Sequence, residues 1–257
     1  MAIVRFFEWD QPKSVFSEKQ LKKGDKVVVE HEWGTFLAEV LSSTRKETGE
    51  EDGRLIRLAN SFDLETTEDN KKKEAEILNL AKTKAREMEL SMKLIDSKVS
   101  LDGSCVVIAF VADGRVDFRF LVKELSFFLG KSVRLQQIGS RDEARKCGGC
   151  GICGLELCCV KFSGCLKSIS TDMARCQMIV HRGSERISGL CGRLKCCLAY
   201  EAEQYQEALK TLPGVGALVK LKDGKEGTVV EVQALAQRVK IELKDNSYIT
   251  VEAKELK

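Results

Sequence analysis

The chain has 257 residues, of which 43% are apolar and 32% charged, and its formal net charge is +3. Such a composition is that of an ordinary globular protein and gives no global case for nucleic-acid binding. Its longest purely apolar run, residues 105–112, is much shorter than a membrane span, and charged residues interrupt the N-terminal apolar stretch before a signal peptide can form. We therefore expect a cytoplasmic protein with no transmembrane segment, in which clustered cysteines are more often metal-binding or redox-active than disulfide-bonded.

The first part of the chain, residues 1–66, predicts an N-terminal β segment. Short β-branched and apolar runs alternate with turn residues such as Lys23-Gly24-Asp25, and a small barrel or curled sheet would bury them. A polar stretch at residues 42–53 is interpreted as a loop. The predicted strands are 26–30, 36–40 and 55–58.

Residues 67–140 predict a long helix followed by a β-β-α-β unit. Alanines, leucine and methionine recur at steps of three and four between residues 67 and 90, and Thr67 is the predicted N-cap. In the unit that follows, Asp117 is the predicted N-cap of the helix and Gly130 its end, and Cys105 lies inside an apolar strand as a buried small hydrophobe. The predicted strands of the unit are 92–101, 104–111 and 133–138.

The remaining sequence predicts a Cys-rich segment at residues 141–212 and a C-terminal β segment, a small barrel, at residues 213–257. The Cys-rich segment is rich in glycine and lacks regular periodicity until a short helix at residues 199–209. The fold class is therefore α+β, with small barrel-like β segments at both ends, a central β-β-α-β unit and a Cys-rich metal-binding segment. The predicted C-terminal strands are 217–221, 227–232, 239–243 and 248–251.

Ten of the eleven cysteines lie between Cys147 and Cys197, and six of them repeat one phrase. The phrase is Cys-Gly, three residues, then two adjacent cysteines, and it begins at Cys153 and again at Cys191. This density predicts a site that holds thiolate sulfur around a metal or cluster. The candidate ligands are Cys147, Cys150, Cys153, Cys158, Cys159, Cys191, Cys196 and Cys197.

Three kinds of chemistry are compatible with these cysteines. The spacing Cys147-x-x-Cys150-x-x-Cys153 is typical of loops that wrap an iron–sulfur cluster, although Cys158 follows after four residues and without a proline. Pairs separated by two residues are equally typical of structural zinc sites, to which His181 could contribute. Reversible disulfide formation between nearby thiols is the third. No acid–base or nucleophile arrangement typical of an enzyme is recognisable.

The doubled phrase and its setting resemble the RicT (YaaT) family of bacterial stage 0 sporulation and RNA-maturation regulators. The resemblance extends over about residues 85–205 and includes the segment Gly139-Ser140-Arg141-Asp142-Glu143-Ala144. It is carried further by residues 114–125 and by residues 187–194, which include the start of the second copy of the phrase.

The resemblance implies a non-catalytic protein that joins two small companion proteins in a complex carrying [4Fe–4S] clusters. That complex acts with a membrane-attached endoribonuclease in the maturation of polycistronic messages, so contact with RNA would be indirect. The family's cluster cysteines correspond to the six of the doubled phrase. Cys147 and Cys150 depart from the family pattern, which suggests the hypothesis that this chain binds a cluster largely by itself. The alternative function is an RNA-binding module with a structural zinc site.

Overall fold

The computed structural model describes residues 1–17, 20–43, 52–162, 168–180 and 183–256. It divides the chain into two compact units, residues 1–165 and 166–257, and both contain helices and strands. The boundary falls between the two copies of the cysteine phrase, so each copy belongs to its own unit. Within the described ranges, no helix is long and apolar enough to cross a membrane.

The first unit begins with a curled five-stranded sheet of the half-barrel type. Its strand order is β2-β1-β4-β3-β5, and all neighbours are antiparallel. The sheet is curled because Phe16, directly after β2 at one edge, is hydrogen-bonded to residues at the other edge. The Phe16 N–H donates to the Gly53 carbonyl (3.3 Å), and the Phe16 carbonyl accepts from the Leu55 N–H (3.1 Å). The strands are β1 Ala2–Arg5, β2 Lys13–Val15, β3 Lys26–His31, β4 Gly34–Ser43 and β5 Arg54–Leu58.

Three of these strands were predicted from the sequence and are confirmed, whereas β1 and β2 were missed. They have only four and three residues, too few for a periodic pattern to be recognised. The predicted loop at residues 42–53 is partly wrong, since β4 continues to Ser43. Residues 44–51 of that loop lie outside the described part of the chain.

Helix α1 spans Ser61–Glu87, so the predicted N-cap at Thr67 is wrong. Asn60 is the N-cap: its side chain accepts from the Asp63 N–H, and the Asp63 carboxylate accepts from the Asn60 N–H, both at 2.9 Å. This capping box satisfies two N–H groups of the first turn. Thr67 lies inside the helix, where its Oγ1 donates to the Asp63 carbonyl at 2.8 Å.

The predicted β-β-α-β unit is present as β6, β7, α2 and β8. Strand β7 is antiparallel to β6 and parallel to β8, and α2 forms the crossover. Asp117 is not the N-cap of α2 as predicted, because Phe118 occupies that position. Gly130 ends α2 in the left-handed conformation (φ 61°), as predicted. The elements are β6 Lys93–Val99, β7 Cys105–Val111, α2 Arg119–Leu129 and β8 Ser132–Gln137.

Strand β7 is buried on both faces and forms the centre of the first unit. Val106, Ile108 and Phe110 pack into the core formed with α1 and α2. Alternate residues of the same strand, Cys105 and Val107 among them, pack against Phe7, Trp9 and Phe36 of the N-terminal part. Because successive side chains of a strand point to opposite faces, β7 contacts the helices on one face and the N-terminal part on the other. Cys105 is buried as predicted, and burial raises the pKa of its thiol.

Two short helices follow β8 in the described part of the first unit, α3 Ser140–Cys147 and α4 Cys158–Lys161. The sequence predicted irregular backbone here. That prediction is wrong for these stretches, because helices of eight and four residues show little apolar periodicity.

Within its described residues, the second unit contains three α-helices and a four-stranded antiparallel sheet of order β12-β11-β10-β9. The predicted C-terminal strands are confirmed, and a bridge between Leu221 and Leu256 connects the end of β9 with the last residues. A 3-10 turn at Ala253–Glu255 leads into that bridge. The elements are α5 Thr171–Cys176, α6 Ser184–Ile187, α7 Leu198–Leu209, β9 Leu218–Lys220, β10 Glu226–Gln233, β11 Arg238–Leu243 and β12 Tyr248–Glu252.

Candidate functional site

Each copy of the cysteine phrase forms part of a small β-hairpin. We call residues 149–159 hairpin 1 and residues 187–197 hairpin 2. In hairpin 1, Cys150 forms an antiparallel bridge with Glu156, and in hairpin 2, Ser188 forms one with Leu194. The two bridges are related by an offset of 38 residues, the same offset that relates Cys153 to Cys191.

Three backbone hydrogen bonds define hairpin 1. The Gly151 N–H donates to the Leu155 carbonyl at 2.8 Å, and the Leu157 N–H donates to the Gly149 carbonyl at 3.1 Å. The turn is closed by the Gly154 N–H, which donates to the Gly151 carbonyl at 2.9 Å.

The same three bonds recur in hairpin 2 at the same offset. Gly189 donates to Arg193 at 2.8 Å, Lys195 to Ile187 at 2.8 Å, and Gly192 to Gly189 at 3.0 Å. The two hairpins therefore share one backbone geometry, although their turn residues differ in chemistry.

A glycine in the left-handed region follows the turn cysteine in each hairpin. Gly154 has φ 76° and Gly192 has φ 75°. A three-residue hairpin loop needs a left-handed residue at its end, and glycine adopts this conformation without the steric cost that a Cβ imposes. The Cys-Gly step of the phrase thus has a structural reason: the glycine closes the turn that presents the cysteine.

Hairpin 1 is held in the first unit by α3, the helix that precedes it. The Arg145 guanidinium is buried, donates from Nη1 to the Asp10 carbonyl at 2.8 Å and pairs with Asp142. Lys146 pairs with Glu8 and lies 3.2 Å from Asp96.

Two carboxyl groups beside these contacts have pKa values shifted in opposite directions. Burial raises the pKa of Asp10, despite the nearby charges of Lys13 and Arg145. The hydrogen bond from Lys146 holds the pKa of Glu8 below its usual value. The chain entering hairpin 1 is therefore tied to the N-terminal segment by buried and charged contacts.

Hairpin 2 is held in the second unit by α7, the helix that follows it. Leu198 and Ala202 of α7 are buried, and α5 packs beside this helix. The Gln177 side-chain amide donates to the Leu198 carbonyl at 2.7 Å. Cys176 of α5 donates from Sγ to the Met173 carbonyl at 3.2 Å, and burial raises the pKa of its thiol. Cys176 thus has a packing role beside α7.

The predicted ligands are distributed between the hairpins and their flanks. None of the ten described cysteines forms a disulfide. In the first unit Cys147, Cys150 and Cys153 are exposed, whereas Cys158 is half-buried and Cys159 buried; in the second, Cys191 and Cys196 are half-buried and Cys197 exposed.

Seven of the eight candidate cysteines lie in the two hairpins, and Cys147 is the last residue of α3. Over residues 1–17, 20–43, 52–162, 168–180 and 183–256, no group of three or more Cys, His, Asp or Glu side chains is placed to hold a metal ion. Cys165 and His181 lie outside those ranges.

Sequence reasoning missed that the repeat is longer than the six cysteines. In the common backbone geometry, Cys150 occupies the position equivalent to Ser188, and Gly151 the position equivalent to Gly189. These positions precede the two turn cysteines. It also missed the apolar side chains at equivalent turn positions, Ile152 and Leu190, which are 73% and 65% exposed. The detectable signal was the pattern Gly, apolar residue, Cys, Gly, which occurs in both copies.

Comparisons with known proteins match two regions of the chain to family models. Residues 53–138 match the family described as the PSP1 C-terminal conserved region, and residues 168–212 match the one described as PSP1-like protein, third domain. The first match covers β5 to β8, and the second covers hairpin 2 with α5 to α7. Hairpin 1 lies between the two matched regions.

A curated relative extends the similarity over most of the chain. It is the stage 0 sporulation protein YaaT of Bacillus subtilis (strain 168), 38% identical over 190 residues, which are 74% of this chain and 68% of that protein. No solved structure matches. From the two matched regions and this relative, we conclude that the chain belongs to the PSP1 family of YaaT.

Proposed function

We propose that this protein is a non-catalytic regulatory adaptor that binds a [4Fe–4S] cluster through its cysteine hairpins. In this role it assembles with small companion proteins and modulates an endoribonuclease during mRNA maturation. The observation that carries the proposal is the pair of hairpins with one backbone geometry, each presenting the same three cysteines, in a relative of a sporulation protein.

The donor set fits a thiophilic group. Thiolates are the preferred ligands of iron–sulfur clusters, and zinc is the alternative with the same preference. The left-handed glycines turn the backbone sharply beside Cys153 and Cys191, so that these cysteines lie at the hairpin turns. When bound, a [4Fe–4S] group supplies a link that is sensitive to oxygen and to iron supply.

Among the described residues, no three candidate side chains are placed to hold a metal ion. We propose that ligands from outside a single hairpin complete the cluster site. An adaptor obtains such ligands from its partner proteins, so its assembly with them and its metal loading depend on each other. The exposed Ile152 and Leu190 side chains, next to the turn cysteines, offer apolar surface for such an assembly.

One of the two histidines has a packing role. His31 lies 3.2 Å from the Lys13 ammonium and packs edge-on against Phe6 and Trp33. Burial lowers its pKa, so it is neutral at physiological pH and accepts from Lys13. This arrangement favours a structural role for His31 over acid–base catalysis.

The test replaces one turn cysteine at a time. Cys153→Ser and Cys191→Ser should each abolish co-purification of iron with the complex and reduce maturation of the target messages in cells. Cys176→Ser is the matched control, because its side chain keeps the hydrogen bond to Met173 and lies outside the hairpins. Normal iron content and normal maturation in both hairpin variants would contradict the proposal.

A second measurement separates the adaptor from the RNA-binding alternative. An adaptor should show little affinity for RNA until its partner proteins are present. Direct binding through lysines and arginines would appear in the isolated chain and weaken steeply with salt, because bound counterions are released from the phosphates. Zinc together with salt-dependent RNA binding in the isolated chain would replace the adaptor proposal.

A further inference from the structure

The two hairpins differ at one position that bears directly on metal binding. The residue at the base of the turn is Cys150 in hairpin 1 and Ser188 in hairpin 2, and both lie in the equivalent bridge. Because the surrounding backbone bonds are the same, this difference is a change of side chain on a constant frame.

The turn cysteine folds back towards that base. A Cβ placed on Gly151 would lie 3.5 Å from the Cys153 Sγ, and one on Gly189 would lie 3.8 Å from the Cys191 Sγ. Each turn thiol therefore lies over the residue that directly follows the bridge position. In hairpin 1 the residue that precedes Gly151 is Cys150, so Cys150 and Cys153 flank one tight turn.

The spacing of this pair is that of a metal chelate. Cysteines two residues apart, as Cys150 and Cys153 are, supply half of the tetrahedral ligand set in many structural zinc sites. Thiols of this kind bind metal as thiolates, each releasing one proton to solvent. A serine hydroxyl does not lose its proton at neutral pH and is a poor ligand for a soft ion.

We propose that hairpin 1 is a two-thiolate fork for a soft divalent metal ion, with Cys150 and Cys153 as its ligands, and that hairpin 2 is the same fork with one ligand replaced by Ser188. Two ligands leave the other coordination positions open to solvent or to added thiols.

The inference deepens the proposed function, because Cys153 is also a proposed cluster ligand. It assigns Cys150 to the same metal group as Cys153 and makes the two hairpins unequal. Hairpin 1 should hold metal in the isolated chain, whereas hairpin 2, with one thiolate at its turn, should depend on ligands from elsewhere.

The test uses the full chain, reduced and freed of metal, with Cd²⁺ as the probe. Substoichiometric Cd²⁺ is added and binding is followed by the ultraviolet thiolate-to-cadmium absorption and by calorimetry. Loss of an outer-shell partner already costs about 10–100-fold in metal affinity, so loss of a direct ligand in Cys150→Ser should weaken the tightest site at least about tenfold. Cys176→Ser, which also removes one thiol, should bind Cd²⁺ as the unaltered chain does.

The gain-of-ligand variant guards against a trivial loss of folding. Ser188→Cys should add a second tight Cd²⁺ site, because it completes the fork on the frame of hairpin 2. The inference is overturned if Cys150→Ser binds Cd²⁺ as tightly as the unaltered chain, or if Ser188→Cys adds no site. Since no iron and no partner protein is present, this result is separate from whether a cluster assembles in the complex.

Discussion

Hairpin 1 follows an eight-residue helix with a buried arginine, whereas hairpin 2 precedes a twelve-residue helix with a buried leucine, although the two share one backbone geometry. The helix on the other side of each hairpin has only four residues. The geometry is thus local, set by a glycine turn and three hydrogen bonds. The attachment to the rest of the fold differs between the two, because the anchoring helix precedes hairpin 1 but follows hairpin 2. The same cysteine-presenting element can therefore be built into two unrelated settings.

The largest effect should come from the attachment of hairpin 1. Arg145→Ala removes the guanidinium that binds Asp10 and Asp142, and breaking a buried charged contact costs about 3–5 kcal/mol. Hydrogen exchange should show faster opening of hairpin 1 and no change in hairpin 2. Arg175→Ala, which breaks an exposed ion pair with Asp172, is the control and should have little effect. Equal loosening of both hairpins would show that the attachments are not separate.

The reciprocal change is Leu198→Ala in α7. This side chain is buried, and its truncation should destabilise the second unit by about 2–4 kcal/mol through lost burial and the cavity left behind. Hydrogen exchange should now accelerate in hairpin 2 while hairpin 1 keeps its protection. Faster exchange in hairpin 1 alone would contradict the assignment of α7 as the anchor of hairpin 2.

The matched variants Gly154→Ala and Gly192→Ala test whether the two hairpins share one turn geometry. Both glycines have left-handed backbone, and neither added Cβ would meet another atom within 4 Å. The cost should therefore be conformational only, about 1–2 kcal/mol in each hairpin, measured as the free energy of local opening. A large difference between the two variants would mean that the hairpins do not share one turn geometry.

The smallest effect concerns the pH dependence of the contact beside α3. Burial raises the pKa of Asp10, so between its ordinary and its raised pKa the folded protein binds more protons than the unfolded chain. Stability falls as pH rises through that window. Asp10→Asn removes this titration, so its stability relative to the unaltered chain should increase from about pH 4 to neutral pH in urea unfolding. A difference that stays constant with pH would contradict the direction of the shift.

Much of the fold could be predicted because its signals are local. The apolar run of β7 has a strand length and turn residues at both ends, and Gly130 is a helix-ending residue whose left-handed backbone is observed. The start of α1 was mispredicted because the capping box of Asn60 and Asp63 begins the helix seven residues before the predicted N-cap, Thr67. Strand pairing such as the curl at Phe16 depends on contacts between distant residues and leaves little local signal.

Only part of the candidate site could be predicted from the sequence. The repeated cysteines identified the two copies, but equivalence of Cys150 and Ser188 depends on backbone bonds that a cysteine count does not reveal. The attachment through Arg145 was also unreadable, because its acceptor is the carbonyl of Asp10, 135 residues away in the chain. Buried contacts of this kind follow from the tertiary fold.

The most direct test of the adaptor proposal is the metal content of the complex. The chain would be purified with its companion proteins under strict anaerobiosis, and iron, acid-labile sulfide and zinc would be measured per complex. The proposal predicts iron and sulfide in equal amounts, in multiples of about four, with visible thiolate-to-iron absorption. Zinc in place of iron, or no metal in the intact complex, would contradict it.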